Sequence, residues 1–227
     1  MCCLEELNLA ECGPAVTDIG GVAVASIPTL KWLNLSWLIN ISDVTLTAIA
    51  EHSQKLTVLD LTGCELITGE GVRAFVDHES LEELVLVSCV NVFQSDVELL
   101  VLGSQSLKYI KLDKRLRMWI PIATQENISR FWAPESRISR FPVTAVNGLH
   151  KMKGMNTGGC WMIKDSGLVM LSNGSTSRTL KELIISERCE LDRFWGLVFE
   201  ANESLEELDL SLLNVSDVSL IAIAEHC

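Results

Sequence analysis

Long hydrophobic runs are missing from this 227-residue chain: no stretch of 18 consecutive apolar residues occurs, so it offers no transmembrane helix. The opening Met-Cys-Cys-Leu-Glu-Glu has no basic region leading into an apolar one, so no secretory signal is indicated and a cytoplasmic or nuclear location is expected. Catalytic motifs are missing as well. There is no phosphate loop, no HExxH, no nucleophile elbow and no dinucleotide fingerprint. The four histidines, His52, His78, His150 and His226, are dispersed over similar helix-end or loop positions. His52 and His226 even share an Ala-Glu-His ending, as side chains with a structural place do. Neither an enzyme nor a cofactor is expected. No CxxC pair occurs among the eight cysteines, so zinc is not indicated. Cations are outnumbered, 18 Lys and Arg against 30 Asp and Glu, and a net charge of −12 argues against binding a phosphate backbone.

What the chain does have is one phrase repeated. Leu56-Thr-Val-Leu59-Asp-Leu61-Thr-Gly-Cys64, followed by Ile67-Thr-Gly-Glu-Gly-Val72, fits neither one helix face nor one plain strand. Period two across Leu59-Asp-Leu61 points both leucines to one side and Asp60 to the other. Cys64 then turns inward, and Thr68 caps a short helix carrying Val72, Phe75 and Val76. The phrase begins at Leu4, Leu30, Leu56, Leu81 and Leu107, and again at Leu180 and Leu205, with spacings of 26, 26, 25 and 26, then 25. Weaker copies start at Met152 and Ile128, for about nine repeats. One such unit cannot bury its apolar side alone, so the units must stack. With 48% hydrophobic residues and a mean hydropathy of +0.29, a core built repeat by repeat is expected. The helices present Leu46, Ile49 and Ala50, or Leu99, Leu100 and Leu102, as apolar stripes toward it.

The phrase resembles the cysteine-containing subclass of leucine-rich repeats, best known from F-box proteins that act as substrate receptors of SCF-type E3 ubiquitin ligases. Cys12, Cys64, Cys89 and Cys160 fill its first cysteine place; Val16-Thr-Asp18, Ile41-Ser-Asp43 and Val215-Ser-Asp217 fill its second element; Ala48 to Ser53 and Ala222 to Cys227 fill its third. The resemblance implies an α/β leucine-rich-repeat solenoid, a horseshoe with a parallel concave sheet and short outer helices. It implies a protein-interaction module, most concretely the substrate-recognition repeats of such a receptor, with a ligase adaptor as partner only where an F-box lies outside this chain. A structural scaffold or repair-complex subunit built on the same repeats is the alternative. The stacked cysteines are expected to be reduced and to behave as small hydrophobes. The pairs Thr17-Asp18, Ser42-Asp43 and Ser216-Asp217 are accounted for by helix capping with an acid in the first turn. Six Asn-x-Ser sequons, at Asn34, Asn40, Asn127, Asn173, Asn202 and Asn214, read as chance in a loop vocabulary.

Residues 1–227 read as one repeat domain, irregular at 108–153. Leu4 opens the first phrase and Cys227 falls just short of the next leucine, so a fragment lacking both caps is expected, with bare end strands prone to self-association. The irregular segment holds ten basic residues against Asp113, Glu126 and Glu135, a charge of +7, whereas the remainder is −19. Counting from each phrase puts Trp32, Tyr109, Lys111, Arg130 and Trp132 at the middle of the concave side. There they form an expected partner-binding site, flanked by Glu6, Asp60 and Glu83 on one hand and by Glu182, Glu207 and Asp209 on the other. Such a centre fits a protein partner with an acidic segment. The competing reading is that two degenerate repeats have drifted and that their Lys and Arg are solvated faces.

Overall fold

A computed structural model describes residues 3–112, 154–156, 181–184 and 205–226. The elements in chain order are β1 (Glu6–Asn8), α1 (Asp18–Ala25), β2 (Trp32–Asn34), α2 (Asp43–His52), β3 (Val58–Asp60), α3 (Gly69–Arg73), β4 (Glu83–Leu86) and α4 (Gln94–Gly103). They continue with β5 (Tyr109–Leu112), β6 (Gly154–Asn156), β7 (Glu182–Ile184), β8 (Glu207–Asp209) and α5 (Asp217–His226). All eight strands join one parallel sheet, which is the expected leucine-rich-repeat solenoid.

Each strand is short because only the central LxL of the phrase keeps period two. Leu7, Leu33, Leu59, Leu84 and Leu208 point into the core, and the first and last leucines of each phrase, such as Leu4 with Leu9 and Leu56 with Leu61, are buried beside them. After each of these strands the backbone makes a left-handed step at the equivalent place, Glu11, Trp37, Gly63, Ser88 and Leu212, with a second at Gly13 after β1. Only Gly63 signals it in the sequence. Glycine is required there for a second reason, since a Cβ at Gly63 would lie 2.4 Å from the Trp37 ring.

The step brings Cys12, Cys64 and Cys89 inward. Their thiols donate to the strand-end carbonyls of neighbouring repeats, Cys12 to Leu210 O at 2.9 Å, Cys64 to Leu35 O and Cys89 to Leu61 O at 3.1 Å each. All three are reduced thiols, as expected of small hydrophobes with a weak donor, and burial pushes Cys12 and Cys64 up to about 12.

The capping hydroxyls behave as expected: Thr17, Ser42 and Thr68 accept from the N–H of Ile19, Val44 and Glu70. The acids do more than sit in a first turn. Asp18 accepts from Ser42 N, Ser42 Oγ and Thr45 Oγ1, and Asp43 from Thr68 N and Oγ1, so each carboxylate reaches into the adjoining repeat. Before α4 the capping position is Phe93, which has no acceptor. There Asp96 reaches back to Phe93 N at 3.0 Å and pairs with Arg73 at 2.6 Å.

Two expectations are corrected. In α4 the buried stripe is Val97, Leu100 and Val101, while Leu99 and Leu102 are exposed, because positions 97, 100 and 101 share one face of a 3.6-residue helix and 99 and 102 lie opposite. The sheet also does not follow chain order. It runs β5-β4-β3-β2-β1-β8-β7-β6, so the edge of β1 expected to be bare is covered by β8, with Glu6 opposite Glu207, Leu7 opposite Leu208 and Asn8 opposite Asp209.

Candidate protein-binding face

Parallel pairing in uniform register lines equivalent positions into rows across the sheet face turned away from the helices. One row reads Glu207, Glu6, Trp32, Val58, Glu83, Tyr109; the next reads Asp209, Asn8, Asn34, Asp60, Val85, Lys111. Successive strands are about 4.8 Å apart, so Trp32 and Tyr109 are separated by roughly 14 Å. Trp32 is half-buried between Glu6 and Val58, and Tyr109 is exposed.

The second row is largely committed to local structure. Asn8, Asn34, Asp60 and Asp209 each accept, through Oδ1, from the backbone N–H two residues on, at Ala10, Ser36, Thr62 and Ser211. These Asx turns close the strand exits. They leave Asp60 and Asp209 with less capacity for a partner than their charge suggests. Lys111 is likewise engaged, 3.1 Å from Glu83. A pair this exposed contributes little to stability and can be exchanged for a partner's charge.

The structure therefore puts three of the five expected site residues, Trp32, Tyr109 and Lys111, on one face, but not together at its middle. Tyr109 and Lys111 belong to β5, the last strand on that side among the described residues, and the middle of the described sheet falls between β1 and β2. The shift follows from β8 joining β1, which moves Glu207 and Asp209 beside Glu6. Arg130 and Trp132 lie outside the described residues. Along the described face Glu207, Asp209 and Glu6 lie at one side, Trp32, Val58 and Asp60 between, and Glu83 with Tyr109 and Lys111 at the other, where the Glu83–Lys111 pair is neutral overall.

A second surface went unread in the sequence. On the strand-exit loops, Trp37 and Ile39 are each 48% exposed and, with Glu11, Gly13 and Pro14, line an open pocket of about 310 Å³. Leu66, Val90 and Leu212 are exposed large apolar residues on equivalent loops. The available signal was Trp37 itself, a tryptophan in a place where the sister repeats have Glu11, Gly63 and Ser88. Among the described residues no group of three or more His, Cys, Asp or Glu is placed to hold a metal ion, and no helix is long and apolar enough to cross a membrane.

The family model described as Leucine Rich repeat matches residues 52–76 and 201–224. Both windows open four residues ahead of a phrase leucine, Leu56 or Leu205, so they register the repeat in the same frame, once around β3 and once around β8. Repeats of this kind indicate a protein–protein interaction module.

Proposed function

We propose that this leucine-rich-repeat chain holds a protein substrate across its open sheet face, as the substrate-recognition repeats of an SCF-type E3 ubiquitin ligase receptor. The cysteine phrase supports the ligase reading through its resemblance to those receptors. Cys12, Cys64 and Cys89 occupy one place in three of the first four phrases, the phrase opening at Leu30 having Leu38 there, and make one kind of bond, thiol to strand-end carbonyl. The function is positional: the module presents a bound protein to chemistry carried out elsewhere.

The observation that carries the recognition reading is the row in which Trp32 and Tyr109 share a face with Lys111. Aromatic side chains offer large contact area at small entropy cost and dominate interface energetics. A partner with an acidic segment would lay that segment at the β5 side, toward Lys111 and Tyr109. Glu6, Glu207 and Asp209 repel the same charge and so set its direction.

The test is capture of partners by the full-length protein, identified by cross-linking mass spectrometry, in the wild type and in Trp32→Ala with Tyr109→Ala. Cross-links through this face and their loss in the double variant, at unchanged melting temperature, are expected. Capture unaffected by both changes would remove this face as the site. Recovery of a substrate without any ligase adaptor would favour the scaffold reading over the receptor.

A further inference from the structure

The contact between β8 and β1 joins residues at opposite ends of the sequence, yet bond for bond it is an ordinary repeat junction. Glu5 N and Glu6 N donate to Glu206 O at 2.7 and 3.0 Å, as Lys31 N and Trp32 N donate to Glu5 O at 2.7 and 3.0 Å between β1 and β2. Cys12 donates to Leu210 O as Cys64 donates to Leu35 O. Asp217 accepts from Thr17 and from Gly20 N at 3.0 Å, as Asp18 accepts from Ser42 and Thr45. Helices α1 and α5 pack directly: a Cβ on Gly20 would sit 2.5 Å from Asp217 Oδ1 and 2.9 Å from Leu220 Cδ1. What distinguishes this junction is its tether. Adjacent repeats such as those opening at Leu4 and Leu30 follow directly in sequence, whereas β8 is separated from β1 by nearly the whole chain.

We propose that the same junction forms between two copies of this chain, with β8 and α5 of one copy seated on β1 and α1 of the next. Three features carry this. The two halves of the contact are different surfaces, so in trans it is a head-to-tail contact that leaves one copy with its β1 and α1 half unused and the other with its β8 and α5 half unused. No bond in it depends on the two halves belonging to one molecule. And in cis the chain must return from β5 to β6, at opposite ends of the described sheet and about 34 Å apart at 4.8 Å per strand, using residues 113–153. Those residues can span that distance, so the cis form is accessible and, with an effective concentration in the millimolar range, wins in dilute solution. The trans contact takes over when cis closure is blocked, or when copies fold together in crowded solution.

The test uses two full-length variants that damage opposite halves. Asp217→Arg spoils the α5 half and keeps Thr17 and Gly20; Gly20→Val spoils the α1 half and keeps Asp217. Neither can close on itself, but mixed they can build one junction made entirely of native residues. Light scattering at micromolar concentration is expected to show each variant alone as a monomer and the equimolar mixture as a 1:1 dimer that grows no further, because its remaining junction is damaged on both sides. A mixture that stays monomeric while both variants keep the wild-type circular dichroism overturns the proposal, as does equal dimerisation of either variant alone. Should these changes prevent folding, Asp217→Asn and Gly20→Ala form a milder pair. Wild-type copies of two isotopic masses, refolded together from urea at high concentration, give a further readout by native mass spectrometry. Mixed-mass dimers are expected, and monomers alone would refute it.

Discussion

Asp217 accepts hydrogen bonds from Thr17, 200 positions earlier in the chain, taking the backbone N–H at 2.6 Å and the hydroxyl with its other oxygen. The carboxylate thus does for the first helix what Asp18 does for the second and Asp43 for the third. Removing it in Asp217→Ala leaves Thr17 N and Gly20 N without their acceptor. A loss of roughly 1.5 to 3 kcal/mol is expected for bonds to a charged group, read as a lower urea midpoint. Asp18→Ala should lose a similar amount, since the contacts are equivalent.

Leu61 is completely buried in the middle of the β3 repeat. Leu61→Asp forfeits the transfer energy of about 1.5 to 3 kcal/mol for the side chain and adds the cost of desolvating a carboxylate with no partner. Because each repeat is supported by its neighbours, several repeats should lose structure together. Unchanged thermal melting of this variant would contradict the register described above.

Ser88 holds φ at 61°, a conformation that L-residues adopt at a cost of roughly 1 to 2 kcal/mol. Ser88→Gly relieves that strain but adds chain entropy to the unfolded state, so a net gain of about 0.5 to 1 kcal/mol is expected by chemical denaturation. Gly63→Ala should move the other way, because it combines φ of 72° with a Cβ inside contact distance of Trp37.

Acid should weaken the protein in two stages. Burial lowers the pKa of His78 from 6.5; its Nδ1 accepts from Leu81 N at 3.1 Å and Nε2 lies 3.2 Å from Ser53 O, so the neutral ring is the one that fits. The unfolded chain then binds the proton more readily. His78 therefore contributes stability that is complete above pH 6.5 and is lost as the pH falls below it. For Asp18 burial acts upward, but hydrogen bonds from Ser42 and Thr45 outweigh it and lower the pKa below 3.8. Its contribution is present above pH 3.8 and disappears as the pH drops through the folded value. Urea midpoints measured against pH should show both stages, and His78→Gln should flatten the first alone.

Thiol chemistry separates the cysteines. Cys3 is exposed, whereas Cys12 and Cys64 are buried and held near 12, so their thiolates are scarce at neutral pH. Peptide-level mass spectrometry after brief alkylation of the native protein should find Cys3 modified well before Cys12 or Cys64, with the difference erased in denaturant.

The unit of this fold was legible in the residues. Leu56, Leu59 and Leu61 specify a short strand by alternation, Thr68 specifies where the helix starts, and Cys64 specifies a small buried side chain; all of these depend on contacts within one repeat or with any repeat of the same kind. For the same reason the order of stacking was not legible. An interface that every repeat can make with every other carries no address, so period alone could not tell that Leu208 lies beside Leu7. That was decided by tertiary contacts between residues far apart in sequence, Asp217 with Thr17 and Cys12 with Leu210. With it was decided that Trp32, rather than Tyr109 and Lys111, stands near the middle of the described sheet.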